Sequence, residues 1–281
     1  MNDLTLLKLG GSLITDKGQP YTPQPDVLAR LAAEIARSMD AAPGMQLIIG
    51  HGSGSFGHTP AKEYRTREGS PLRLPPNVRH LGGEKEGGRY WRGFAEVWFQ
   101  ASALNRLVMA ALHDAAVPAI ALAPVAAVTA HHGKLARWDL TQLTAALAAG
   151  LVPVVYGDVV FDTARGGTIL STEDLFEHLA RELRPARVLL AGLESGVWAD
   201  FPHRKLRVER ITPGSIEEIR RGVRGSDGAD VTGGMESKVR QMLALVQEIP
   251  ELSVQIFSGA VPGDLERVLQ GEVLGTLITE D

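Results

Sequence analysis

Four short clusters in this 281-residue chain hold the residues able to do chemistry. In the first, Lys8 lies inside the apolar run Leu4-Thr5-Leu6-Leu7-Lys8-Leu9 and is followed by Gly10-Gly11-Ser12, with Lys17 close behind. A lysine within an apolar strand is costly to bury unless it meets an anion or a carboxylate. Paired glycines let a polyanion reach backbone N–H groups. An equally open reading has Lys8 reaching water from a strand end and Gly10-Gly11 serving only as a turn. It is not a Walker loop, because the spaced glycines and the Lys-Ser/Thr ending are missing. The second cluster, His51-Gly52-Ser53-Gly54-Ser55-Phe56-Gly57-His58, follows directly on an apolar run. It offers backbone and hydroxyl donors to an oxyanion, and His58 adds an imidazole that titrates near neutrality. His51 reads as structural and His58 as the one that touches substrate.

The third cluster joins Tyr156-Gly157-Asp158 to Ser171-Thr172-Glu173-Asp174. Gly157 permits close approach of a ligand, and Glu173 is either a carboxylate that orients Lys8 and Lys17 or simply an acid stabilised at a helix start. Acidic residues at a helix start are also stabilised there without any function, which is the plain reading of Asp174. The fourth, Asp230-Val231-Thr232-Gly233-Gly234-Met235-Glu236-Ser237-Lys238, puts glycines before a helix and a lysine one turn into it, an arrangement suited to phosphate.

The elements that must position these clusters follow from periodicity. Residues 4–9, 46–49, 118–123, 152–156, 188–191, 252–257 and 274–278 read as strands, and 208–211 as an edge strand. Residues 159–161 and 168–170 read as a hairpin. Helices are expected over 25–42, 89–114, 139–149, 171–183, 235–248 and 264–269, with Ser171 and Asp174 as a charged variant of the capping box. The polar, Pro- and Arg-rich stretch 66–83 reads as a mobile surface segment. Alternating strands and helices predict an α/β fold with a mainly parallel sheet covered on both faces. In such a sheet ligands sit beyond the carboxyl ends of strands, where the glycines gather.

Composition narrows the function. Lys and Arg total 29 against 33 Asp and Glu, a net charge of −4, which argues against a dedicated nucleic-acid binder. The absence of cysteine excludes disulfides, thiolate nucleophiles and Cys-ligated zinc or iron–sulfur sites. No basic-then-apolar leader opens the chain, and the apolar stretch 115–130 is broken by Pro118 and Pro124, so a soluble, cytoplasmic protein is expected.

Residues 8–12 with Lys17, 51–58, Ala61-Lys62-Glu63-Tyr64, 153–158 and 230–238 together resemble, in order and spacing, the motifs of the amino acid kinase family. Within it they are most similar to the branch whose acceptor is isopentenyl phosphate. The Ser55-Phe56-Gly57-His58 ending and the DVTGGM segment are the specific parts of the match. The resemblance implies an open αβα sandwich, with an acceptor-binding lobe to about residue 170 and an ATP-binding lobe over 171–281. It also implies a homodimer and ATP-dependent phosphorylation of isopentenyl phosphate to the diphosphate, with Mg²⁺, in isoprenoid precursor synthesis of the mevalonate type. Carried over residue by residue, Lys8, Lys17, His58 and Glu173 are catalytic, and Ser53, Gly54, His58 and Gly157 meet the substrate. Lys8, Gly10, Gly11, Ser12, Lys17, Gly54, Asp174, Gly233 and Lys238 bind ATP, and no side chain is assigned to the metal.

The chain departs from the family pattern at Ser53, where glycine is common, and at Glu173, where aspartate is usual. Residues 192–198, Gly-Leu-Glu-Ser-Gly-Val-Trp, replace a TDVDGV-type nucleotide segment. For the acceptor's tail, Tyr90, Phe94 and Trp98 share a helical face at i, i+4 spacing. A core stripe is the commoner reason for such a face, but Phe94 and Trp98 would also enclose a short branched hydrocarbon, a burial of ~3–4 kcal/mol for five carbons. A fosfomycin-type phosphonate kinase and a non-catalytic nucleotide- or oxyanion-binding protein of the same fold stay open as alternatives.

Overall fold

In the computed structural model, residues 4–70, 87–215 and 234–281 are described. The elements in chain order are β1 (Thr5–Leu9), α1 (Gly11–Ile14), α2 (Pro25–Ala41), β2 (Leu47–His51), α3 (Gly54–Tyr64), a 3₁₀ turn at Thr66–Glu68, and α4 (Gly87–Asp114). Next come β3 (Ala119–Ala121), α5 (Pro124–Ala127), β4 (Val128–His131), β5 (Lys134–Trp138), α6 (Thr141–Ala148), β6 (Val152–Tyr156), β7 (Asp158–Asp162), β8 (Gly166–Leu170) and α7 (Thr172–Leu183). The chain continues through β9 (Arg187–Gly192), β10 (Val197–Trp198), β11 (Arg207–Val208), β12 (Arg210–Ile211), α8 (Gly234–Glu248), β13 (Ser253–Ser258), α9 (Asp264–Leu269) and β14 (Thr276–Ile278).

The main sheet has eight strands in the order β12-β14-β13-β9-β1-β2-β6-β3. Every neighbouring pair is parallel except β13 and β14. β1, β2 and β6 are buried along their whole length, which is why they read as unbroken apolar runs. Successive side chains feed opposite cores. Leu6, Ile48 and Val188 pack with Phe176 and Leu179 of α7 and Met242 and Val246 of α8. Leu7, Ile49 and Leu189 pack with Leu31 and Ile35 of α2, Leu104 and Val108 of α4, and Leu265 of α9. The fold is thus the expected α/β sandwich with a mostly parallel sheet. A second sheet, β5-β4-β7-β8, joins the first where β7 follows β6 across Gly157. No helix among the described residues is long and apolar enough to cross a membrane.

Four local features differ from what the sequence predicts. The glycine- and serine-rich loop does not stay a loop, because from Gly54 to Tyr64 it is helical despite Pro60. Packing overrides propensity here. Phe56 and Ala61 are buried, and Tyr64 lies so close to α4 that a Cβ on Gly93 would stand 2.2 Å from it. The β4–β5 hairpin was not foreseen, since its strands show no clear alternation. Its turn is held by Asp162, whose carboxylate accepts N–H bonds from His132, Gly133, Ala164 and Arg165. The start of the supposed mobile stretch is packed instead. Thr66 is buried, Tyr90 Oη donates to its carbonyl (3.1 Å), and Ser70 N–H donates to Arg165 O (2.8 Å). Residues 71–83 of that stretch lie outside the described residues. The expected edge strand at 208–211 is two pieces, with β11 pairing β10 in a separate ribbon and β12 edging the main sheet.

Candidate active site

The carboxyl ends of β1, β2, β6 and β9 meet at one place, and glycine makes that possible. A Cβ on Gly11 would stand 2.5 Å from Gly54 N, and one on Gly52 would stand 2.8 Å from Gly11 N. The turns after β1 and β2 therefore touch backbone to backbone, closer than any larger residue allows. Gly10 N–H donates to Ala191 O (2.8 Å), Gly52 N–H to Leu9 O (3.0 Å) and Gly157 N–H to His51 O (3.1 Å), lacing four strand ends together. Thr172 Oγ1 also donates to His51 O (2.6 Å), which ties the start of α7 to the same point.

His51 itself is structural, as its sequence position implied. Its ring is fully buried, stacks on Tyr156, hydrogen-bonds Gly52 O through Nδ1 (3.1 Å), and meets Asn105 Nδ2 at Nε2 (3.0 Å). The Asn105 amide nitrogen can only donate, so the His51 proton resides on Nδ1. Burial lowers its pKa to about 4.

Glu173 is the electrostatic hub. Lys8 Nζ lies 3.1 Å and Lys238 Nζ 3.6 Å from its Oε1. Burial opposes ionisation of Glu173, but the two ammonium groups outweigh it and hold the carboxyl below its ordinary range. Its second partner is Lys238 from α8, not Lys17 as the sequence suggested. Lys17 is exposed on the loop after α1 and still lines the cleft. Two cations against one carboxylate leave a net positive centre. Asp158, beside Gly157, adds no counter-charge of ordinary strength. Burial raises its pKa well above the usual value, a single bond from Val159 N–H does not offset that, and its Oδ2 meets no partner among the described residues.

These groups open onto one cleft of about 750 Å³. Lys8, Gly10, Gly11, Ser12, Lys17, Ser53, His58, Gly157, Glu173 and Lys238 all line it, so the ammonium of Lys8 and the imidazole of His58 share one space. The part of the chain before α7 adds Ala61, Arg67, Val97 and Ile169 to the lining. The part after β9 adds Leu193, Glu194, Trp198, Phe201, Arg204 and Met235. Glu194 is locked there by Trp198 Nε1 (2.9 Å) and by Arg204 (2.8 Å), whose guanidinium lies 4.8 Å over the Phe201 ring. Ser53 is accommodated because residue 57 is glycine, where a Cβ would stand 2.2 Å from Ser53 Oγ.

Several expected residues are elsewhere. Gly54, with φ of 49°, packs back against Thr15, and Gly52, Ser53 and Gly57 supply the wall beside it. Asp174 is occupied by the helix cap, where it accepts from Ser171 N–H and Ser171 Oγ (2.7 Å each) and from Gln241. Gly233 lies outside the described residues, while Gly234 opens α8 on the cleft wall. Phe94 is buried in a small core with Tyr90, Val97 and Val159, and Trp98 is 43% exposed. Helical geometry explains the miss. Eight residues turn the helix about 80° past full turns, whereas seven return within about 20°. Tyr90, Phe94, Val97, Ala101, Leu104 and Val108 form the buried stripe, and Val97 is the member that reaches the cleft. Glu194 and Trp198 fall within the segment 192–198 that replaces the family's nucleotide motif, whereas Arg67 and Arg204 carried no signal in the sequence.

The sequence model of the amino acid kinase family matches residues 3–258. The isopentenyl phosphate kinase of Methanothermobacter thermautotrophicus is 37% identical over 98% of this chain and 99% of its own length. That of Methanocaldococcus jannaschii is 32% identical, covering 98% of each chain. A solved isopentenyl phosphate kinase structure, 33% identical, superposes with a TM-score of 0.80 over 98% of this chain and all of that one.

Proposed function

The chain belongs to the amino acid kinase family, and from that premise we propose that it transfers the γ-phosphoryl group of ATP to isopentenyl phosphate, releasing ADP and isopentenyl diphosphate. The observation that carries this reading is the buried Glu173 holding Lys8 and Lys238 in one cleft whose lining includes both small apolar residues and a group of aromatic and charged ones. In this reading the part of the chain up to about residue 170 holds the acceptor and the remainder holds ATP. Gly157 and Ser53 line the acceptor phosphate, His58 donates to it, and Ala61, Val97 and Ile169 cover its tail. Burying such a tail contributes ~3–4 kcal/mol.

The chemistry asks for positioning and charge neutralisation more than for a base. An oxygen of the acceptor phosphate, already ionised, forms the new P–O bond as the bond from the γ-phosphorus to the bridging oxygen of ADP breaks. Lys8 and Lys238, preorganised by Glu173, stabilise the charge on the moving group, and Lys17 joins them from the loop. Mg²⁺ would neutralise the phosphate oxygens of ATP. Among the described residues no three acidic or histidine side chains gather to hold a metal, so the ion fits as one carried by the nucleotide. A homodimer belongs to the same reading.

The test is ADP release by the purified chain with isopentenyl phosphate, dimethylallyl phosphate, fosfomycin or acetylglutamate as acceptor. Turnover dependent on the first two supports the reading. Turnover only with fosfomycin moves the chain to the phosphonate alternative, and nucleotide binding without turnover moves it to a binding protein.

A further inference from the structure

One cation on the acceptor wall has no part in the reaction as described, and its mounting is specific. Arg67 sits on the 3₁₀ turn between α3 and α4 and lines the cleft. The carbonyl before it accepts from Tyr90 Oη (3.1 Å), and its own carbonyl accepts from Thr168 Oγ1 (3.2 Å). Two successive carbonyls pinned to α4 and β8 hold the backbone of this cleft-lining residue.

Both flanking walls place Arg67 beyond the tail. Along α3 the cleft residues run Ser53, Gly57, His58, Ala61, and the turn bearing Arg67 follows. Along β8 the order reverses. A Cβ on Gly157 would stand 3.5 Å from Leu170 O, while Thr168, two residues earlier, donates to the main-chain carbonyl of Arg67. Two strand residues span about 7 Å. The four-carbon spine of an isopentenyl tail, with bonds of about 1.5 Å, fits within that length, and a second isoprene unit exceeds it.

We infer that Arg67 sets the upper limit on acceptor tail length: Ala61, Val97 and Ile169 cover a five-carbon tail, and the guanidinium behind them bars a ten-carbon one. This deepens the kinase reading and rests on it. A short tail can lie against the methylene stem of Arg67 while the charged head keeps its polar surroundings. A longer tail must lay hydrocarbon over the head and strip those surroundings away, which is unfavourable for an ion.

The test compares kcat/KM on isopentenyl phosphate and geranyl phosphate for the wild-type chain, Arg67→Met and Arg67→Lys, with thermal denaturation as the folding control. Arg67→Met is expected to raise the ratio of kcat/KM on geranyl phosphate to kcat/KM on isopentenyl phosphate by roughly tenfold or more, a size usual for pocket discrimination between hydrocarbons. Arg67→Lys, which keeps the charge, retains the C5 preference and serves if Arg67→Met folds poorly. An unchanged C10-to-C5 ratio in Arg67→Met overturns the inference alone. So does an equal fall on both acceptors through KM, which would make Arg67 a phosphate ligand. A wild-type chain that releases no ADP with either acceptor removes the kinase reading and this inference together.

Discussion

Lowering pH should expose the buried histidine under the glycine loop. The folded chain holds His51 neutral, with a pKa of about 4, because burial and the nearby charge of Lys8 disfavour the imidazolium. In the unfolded chain the same ring titrates near 6.5. Between those values the unfolded state binds a proton that the folded state refuses, so the stability contribution is full above about 6.5 and is lost as pH falls toward 4. At ~1.4 kcal/mol per pKa unit the whole effect is about 3 kcal/mol, of which about 2 kcal/mol falls between pH 7 and pH 5. Urea unfolding at those two pH values measures it. The variant His51→Gln keeps an acceptor for Asn105 but cannot titrate. His178, whose pKa burial also lowers, remains in both chains and cancels in the comparison. Wild-type stability should fall about 2 kcal/mol further than that of His51→Gln over this interval. Equal losses in the two chains would show that the ring is not the buried neutral group described.

Other perturbations separate the roles within the cleft. His58→Ala should raise the acceptor KM by about tenfold or more through loss of a bond to a charged group, with kcat far less affected. Lys8→Met should act on kcat instead, lowering it by about a hundredfold, because its contact strengthens as charge develops on the moving phosphoryl group; initial rates at saturating ATP distinguish the two. Two glycines give a paired contrast. Gly11→Ala would drive a methyl to 2.5 Å from backbone and should cost about 2 kcal/mol of stability. Gly157→Ala meets nothing nearer than 3.5 Å and should leave the melting temperature unchanged while raising acceptor KM, since its methyl enters the cleft.

Much of this molecule was legible before folding was considered. Runs such as residues 4–9 and 152–156 are apolar because both faces of a parallel strand are covered, and they fell within a residue or so of β1 and β6. Lys8, Gly10-Gly11, Ser53, His58, Gly157, Glu173 and Lys238 were recognisable from type and spacing, and all line the cleft. These signals are local, arising from a strand's period, a turn's need for glycine or a charge set in an apolar run. The identity of the groups that face one another depended on distant elements packing together. The sheet brought α8 against α7, so Lys238 and not Lys17 became the second partner of Glu173. Packing against α4 made residues 54–64 a helix where periodicity predicted none. The rotation of α4 presented Val97 in place of Trp98, and pinned carbonyls brought Arg67 to the same wall. Neighbours in sequence determine what an element is, whereas the composition of a cleft wall is a relation between elements, decided only when their buried faces meet.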